Sequence, residues 1–526
     1  MAEDDRQMAD DDRQMDVRKW IAVMGTILGA FMAVLDIQIT NSSLADISGG
    51  IAATTDEGSW ISTAYLIGEI ITIPLTAYLS RVFTLRYYLL GNIVLFLTFS
   101  ALAGLSRNLG EMIVCRVGQG FTGGVFIPTA LTVIVTMLPK NLQGVGNAMF
   151  GLTATLAPAI GPYIGGLLTD RIGWQWNFYI NFIPGALMFA AVFATIDRQP
   201  VRLNLLKQGD WIGIGSMAIG LGSLVAMLEE GQRKDWFGSP FIRNCGMLAA
   251  VFVPFFVLWE VFWTKHPVVN LRLVASRNLG YSTIVASVLG LGLYGTLYLI
   301  PLYLSTVQNY SPLLIGQVLV WVGLPQMLIF PFLPMLMKRF DSRLLVCFGS
   351  IFFAASCLMN SFMSYDYGQD QFIWANIVRA IGQPFTIVPV TGLALATLAP
   401  ADAGDGSAIF NMFRNLGGSI GIALLSTVVT RREQFHDFRI GERVTAYDLP
   451  VQQRVAQGVA QFGDLGSGPV RAMRQALETI KSLVRREAFI MAFNDAFLIV
   501  AIGLIIGAII VWFCKKPKPG AAKVAG

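Results

Sequence analysis

The chain has 526 residues, of which 54% are hydrophobic and only 13% charged, with a mean hydropathy of +0.60. A soluble domain carries about 25% charged residues, so the soluble classes are excluded, and no polar stretch is long enough for a kinase, ATPase or sensor domain. At about 20 apolar residues per bilayer crossing, fourteen helices would use just over half of the chain. The net charge of +5 comes without the basic stripe that nucleic-acid binding needs.

Residues 1 to 14 read MAEDDRQ then MADDDRQ, a charge-dense near-tandem that does not fold alone. The segment 1–17 is therefore expected to be an acidic disordered tail. Apolar runs bounded by Gly, Pro and charges place helices at 20–43, 60–80, 86–106, 109–136, 142–168 and 175–196. Two more follow at 211–229 and 244–263. The last six lie at 281–304, 313–337, 344–363, 372–397, 407–430 and 487–513. The expectation is an all-α polytopic membrane protein arranged as 6+2+6: a six-helix half over 18–196, two linker helices within 197–264, a second six-helix half over 265–513, and a basic tail at 514–526.

An even number of crossings puts both termini on one side. On these boundaries that side carries twenty Lys and Arg and the short loops of the other side carry four, so the positive-inside rule places both termini in the cytoplasm. The segment 431–486 is a long outer excursion with ten Lys and Arg, too long to set topology. It is expected to hold two amphipathic helices, VQQRVAQGVAQF and VRAMRQALETIKSLV. The five cysteines lack CxxC spacing and read as small core residues.

A repeat links the two halves. CRVGQGFTGGVFIPTALTVIVTMLPKNLQGVGNAMF resembles VRAIGQPFTIVPVTGLALATLAPADAGDGSAIFNMF. Each has an intramembrane arginine (Arg116, Arg379), then a Gln, a Pro (Pro128, Pro389) and a second Pro (Pro139, Pro400). Repeated helix sets are how secondary transporters place a site between two halves.

Ionisable residues inside a bilayer are costly and mark function. Those embedded here are Asp36, Glu69, Arg116, Arg379, Arg414 and Asp495. Asp36, Glu69, Arg116, Arg379 and Asp495 fall about 10 to 14 Å below the outer boundary, which predicts one charged layer lining a water-accessible cavity. Glu69 has no basic residue within ten positions, a setting in which a carboxyl group can load and unload a proton, and it is the first candidate proton site. Asp36 lies at the depth of Arg116, so it is either its structural partner or a second proton site. Asp495 is a further acid in the second half. Arg379 and Arg414 are candidate helix-locking donors, with substrate binding the alternative.

The string APAIGPYIGG, residues 157–166, carries the most specific pattern. Pro158 and Pro162 remove backbone donors, while Gly161, Gly165 and Gly166 permit close helix approach. This is a candidate hinge gating one side of a cavity.

On these motifs the chain resembles the EmrB/QacA branch of the major facilitator superfamily, the fourteen-helix drug:proton antiporters. APAIGPYIGG is similar to the family's antiporter motif, CRVGQGFTGG with Arg116 and Gly120 to its span-four motif, and VLDIQITN with Asp36 to its span-one motif. EEGQRKDWFGS, PVVNLRLVASRNLG and FRNLGGSIG also look like that branch. One departure stands out: where many members have a Gly, Asp and Arg signature after span two, this chain reads AYLSRVFTLRYY, with Arg81 in place of the Asp. The carboxylate that usually helps lock the cytoplasmic side is missing, so other contacts must close that gate. The resemblance implies the major facilitator fold and efflux of amphipathic or aromatic compounds across the inner membrane. The drive would be the proton gradient, without a cofactor, and the partners a periplasmic adaptor (membrane fusion) protein and an outer-membrane channel. Export of one metabolite or siderophore is the alternative.

An intramembrane enzyme is the rival class. His266 and His436 are the two histidines, both read as lying in loops, and HExxH is absent. GQGFTG, GLGLYG and GGSIG match nucleotide-binding or hydrolase patterns, but all lie inside membrane helices, where small residues are packing surface. No Walker A sequence is present.

Overall fold

The computed structural model describes residues 17–264, 267–399, 402–445 and 447–516. Most of the acidic tail, His266, Pro400 and residues 517–526 of the basic tail lie outside it. Among the described residues there are fourteen helices long and apolar enough to cross a membrane. They are α1 Val17–Ser42, α2 Trp60–Phe83, α3 Leu85–Leu105, α4 Leu109–Met137, α5 Leu142–Ile172, α6 Trp176–Thr195, α7 Trp211–Glu230, α8 Pro240–Trp263, α9 Arg277–Thr306, α10 Leu314–Arg339, α11 Ser342–Phe362, α12 Gln369–Leu395, α13 Ala403–Gly441 and α14 Pro469–Phe513. The fold class and every predicted crossing match these helices.

Their ends follow local chemistry. The Asn108 side chain accepts from Glu111 N at 2.9 Å to cap α4, and Asp210 accepts from Gly213 N at 2.9 Å to cap α7. A single residue, Thr84 at φ 64, turns α2 into α3. Small residues set the close crossings. A Cβ on Gly161 would lie 2.5 Å from Gln38 Cβ, and one on Gly165 2.4 Å from Ser42 Oγ, so the APAIGPYIGG face presses α5 onto α1. The other side of α5 meets α10, where Gly316 backs onto Tyr163 and Gly323 onto Ala159. The helix stays continuous through Pro158 and Pro162.

Helices α13 and α14, with 39 and 45 residues, are about twice as long as a bilayer crossing needs. The sequence places the end of the thirteenth crossing at residue 430, but α13 runs unbroken to Gly441. A connecting helix, Leu449–Asp464, matches the first amphipathic segment. The second, VRAMRQALETIKSLV, is the leading part of α14 itself, which is one helix from Pro469.

On the side of the chain termini the molecule is closed. Ala148 of α5, Phe330 and Leu333 at the end of α10, and Val388 of α12 form one apolar cluster with Leu152, Met337 and Phe385. Ser407 Oγ donates to Pro128 O at 3.1 Å, tying α13 to α4. Arg81 of α2 stands 3.7 Å from Asp405 of α13. These contacts close the side on which the Asp of the family signature is missing.

Candidate functional site

A cavity of about 550 Å³ lies among the far ends of α1, α2, α7, α9, α10 and α13. Asn41 and Ser305, both exposed, are at its rim, and Glu69, Glu229, Glu230, Tyr294, Tyr298 and Asn415 are in its wall. Among the remaining lining residues leucine and isoleucine are the most numerous, beside serine, threonine and glutamine side chains, the composition of a site for an amphipathic ligand.

Glu69 is buried in the wall and accepts from Asn415 Nδ2 of α13 at 3.1 Å. Asn415 Oδ1 in turn accepts from Tyr294 OH at 3.3 Å. One carboxylate of the first six helices is thus tied to two of the last six. Arg414, next to Asn415 and buried, lies within electrostatic reach of Glu69 and Tyr294. Gly68 and Gly120 let α2 and α4 touch backbone to backbone beside this carboxylate, since a Cβ on Gly120 would fall 2.0 Å from Tyr65 O.

Asp36 and Arg116 are both fully buried and paired at 2.6 Å. Asp36 is saturated: Arg116 Nη1 donates to one oxygen at 2.6 Å, while Gln119 Nε2 and Asn181 Nδ2 donate to the other at 2.9 and 2.6 Å. Arg116 Nε also donates to Ile61 O at 3.1 Å, and its guanidinium sits 4.5 Å from the Tyr65 ring centroid. A buried ion pair needs such extra donors to offset desolvation. The arrangement clasps α1, α2, α4 and α6 together.

The expected single layer of five charges around one cavity does not form. Of the five, Glu69 alone belongs to the cavity wall. Asp36 and Arg116 are sealed within the first helix set, and Arg379 lines a separate narrow crevice with Pro158 and Gln383. Asp495 is turned away altogether. It pairs with Arg432 Nε at 2.6 Å and His436 Nε2 at 2.8 Å, and lines a different surface pocket. Depth along a helix does not fix the direction around its axis. The prolonged α13 also brings Arg432 and His436 alongside α14, so His436 is a buried helical residue rather than a loop one.

The sequence reading missed Glu229 and Glu230, which it took as the edge of the polar segment before α8. Glu230 is fully buried and accepts from Ser59 Oγ at 3.0 Å and Thr63 Oγ1 at 2.8 Å, anchoring α7 to α2. Glu229 and Ser419 of α13, the serine of GGSIG, both line the cavity. The available signal was the pair of acids closing an apolar run.

The family model of the Major Facilitator Superfamily matches residues 26–422. The chain is 34% identical to the colistin resistance protein EmrB of Acinetobacter baumannii, over 95% of this chain and 97% of that protein. It is 29% identical to the fatty acid resistance protein FarB of Neisseria gonorrhoeae, over 93% and 95%. With the multidrug export protein EmrB of Escherichia coli K12 the identity is 28%, over 94% and 95%. Among solved structures, the proton:xylose symporter XylE superposes with a TM-score of 0.60 at 13% identity, over 95% of this chain and 97% of that one. The human organic anion transporter MFSD10 (TETRAN) gives 0.56 at 12% identity, over 93% and 100%.

Proposed function

The chain belongs to the Major Facilitator Superfamily, and from that premise we propose that it is a proton-coupled exporter of amphipathic compounds, working by alternating access. The observation that carries this reading is Glu69. It is a buried acid in the wall of a cavity shared by the first and last helices, and its hydrogen bond to Asn415 crosses between them. Protonation of Glu69 would weaken that bond, because a carboxylate accepts from an amide more strongly than a carboxylic acid does. A proton taken at the cavity would thus loosen the contact between α2 and α13 and favour rearrangement. The names of the relatives, multidrug export and resistance proteins, support the same direction of transport.

In this reading the structure corresponds to the outward-facing state, with both termini cytoplasmic and the cavity open to the other side. The 6+2+6 organisation belongs to the proposal, with α7 contributing to the site through Glu229 and Glu230. So does delivery to a periplasmic adaptor and an outer-membrane channel, as the resemblance to EmrB-type exporters implies. The Asp36 cluster serves as a rigid clasp. APAIGPYIGG serves as the surface on which α5 moves between α1 and α10.

The deciding experiment uses purified protein in proteoliposomes, with an imposed pH gradient and a lipophilic fluorescent dye. Wild-type protein is expected to accumulate or extrude dye according to the gradient, and Glu69→Gln to lose this drive while still binding dye. Gradient-driven transport by Glu69→Gln at the wild-type rate would remove Glu69 from coupling. Absence of gradient dependence in the wild type would overturn the reading itself.

A further inference from the structure

The two halves of the repeat treat their arginines differently. In the first, Arg116 and Gln119 on one face of α4 grip the Asp36 carboxylate, one oxygen each. In the second, Arg379 and Gln383 occupy one face of α12, four residues apart. Among the described residues no carboxylate pairs with Arg379. It is 3% exposed, and its Nε and Nη1 have no hydrogen-bond partner there. Gln383 is 1% exposed, and its Nε2 is likewise without a partner. Gln383 Oε1 is occupied, accepting from Gln326 Nε2 at 2.7 Å, which leaves the amide nitrogen as the free end. The Arg379 guanidinium has a weak neighbour in the Phe353 ring, 6.0 Å away.

An unpaired buried cation costs several kcal/mol, so three idle donors around one guanidinium call for a negative charge. Arg379 and Gln383 line a crevice with Pro158 and Ala159 of α5, and it shares Leu297 and Leu319 with the central cavity. We infer that Arg379 and Gln383 form an anion-binding site that takes the carboxylate head of an amphipathic substrate. The substrate's carboxylate stands where Asp36 stands in the other half, and its apolar tail lies along Leu297 and Leu319 in the cavity. This rests on the export reading for the direction of travel, but binding itself does not depend on it. A free halide shares the chemistry and is the other possible source of the charge.

The test measures binding to the purified, detergent-solubilised full chain by intrinsic tryptophan fluorescence and by thermal unfolding, with no pH gradient present. The probes are dodecanoate, dodecanol and sodium chloride. Dodecanoate is expected to bind wild type and raise its unfolding temperature with concentration. Arg379→Gln is expected to weaken that binding at least tenfold, Gln383→Leu to weaken it less, and Arg379→Lys to restore part of it. Dodecanol binding should be the same in all four proteins. Arg379→Met removes an unpaired buried charge, so it should unfold no lower than ligand-free wild type, and it should lose the dodecanoate response. Equal dodecanoate binding by wild type and Arg379→Gln overturns the site. A chloride response that depends on Arg379, without a dodecanoate response, overturns the carboxylate assignment in favour of a free halide. A wild type that binds dodecanoate through Arg379 but shows no gradient-driven transport supports the site and rejects the export reading.

Discussion

The guanidinium of Arg81 stands 3.7 Å from the carboxylate of Asp405, joining the end of α2 to the start of α13 on the side of the termini. Family members with the Gly, Asp and Arg signature have an acid in the α2 to α3 loop. Here the last turn of α2 offers a base, and the acid comes from α13. Arg81 is held in place by its own helix, donating from Nε to Ala77 O at 3.2 Å.

Asp405→Asn is expected to favour opening on this side. The pair is partly exposed and not in tight contact, so its worth is about 1 kcal/mol, or roughly a fivefold shift in the conformational equilibrium. Maleimide labelling of Gly144→Cys, set beside Pro334 in the closed interface, should speed up by about that factor. Exchanging the two charges, Arg81→Asp with Asp405→Arg, should bring the labelling rate back. Unchanged labelling in Asp405→Asn would show that the apolar cluster around Phe330 holds the gate without help.

Asp36→Asn leaves Arg116 buried without a counter-charge, which costs about 3 to 5 kcal/mol. The expected result is a large drop in unfolding temperature. Asp36→Leu combined with Arg116→Met removes both charges and should recover most of the loss. A melting point for Asp36→Asn equal to wild type would reject the clasp.

Outside the membrane, Asp341 caps α11 and is bound by Arg343, which donates from Nη2 at 2.8 Å. Those hydrogen bonds hold its carboxyl below the ordinary value of 3.8. A lowered folded value means that the contribution to stability is present above the unfolded value and disappears as pH falls through the folded one. Asp341→Asn should therefore unfold slightly below wild type at pH 7, and the gap should narrow as pH falls below the ordinary value of 3.8. A gap that does not narrow there would assign the effect to helix capping alone.

The crossings were legible because each is a run of apolar residues with a length set by the bilayer. The Asp36 to Arg116 pair was legible from depth, since both lie about equally far from a boundary. Asp495 falls at that depth only when counted from residue 487, which is no boundary of α14, and it pairs instead with Arg432 and His436, just past the predicted end of the thirteenth crossing. Glu229 and Glu230 were hidden for another reason. Acids at the end of an apolar run look like the start of a loop unless Ser59 and Thr63 are known to meet Glu230, and Ser419 to share a cavity with Glu229. Arg379 was visible, but the vacancy of its donors was not, since that depends on which neighbours fail to arrive.

Helix α13 lines the cavity through Asn415 and Ser419 and then continues without a break to Gly441. Residues 431 to 441 form a stiff arm about 16 Å long beyond the predicted end of the crossing. Arg485 of α14 braces it, pairing with Glu433 at 3.1 Å. A tilt of about 10 degrees at Ser419 in the cavity would swing the tip of this arm, about 33 Å away, by about 6 Å. Whatever rests against it outside the membrane would receive the state of the binding site as a mechanical displacement.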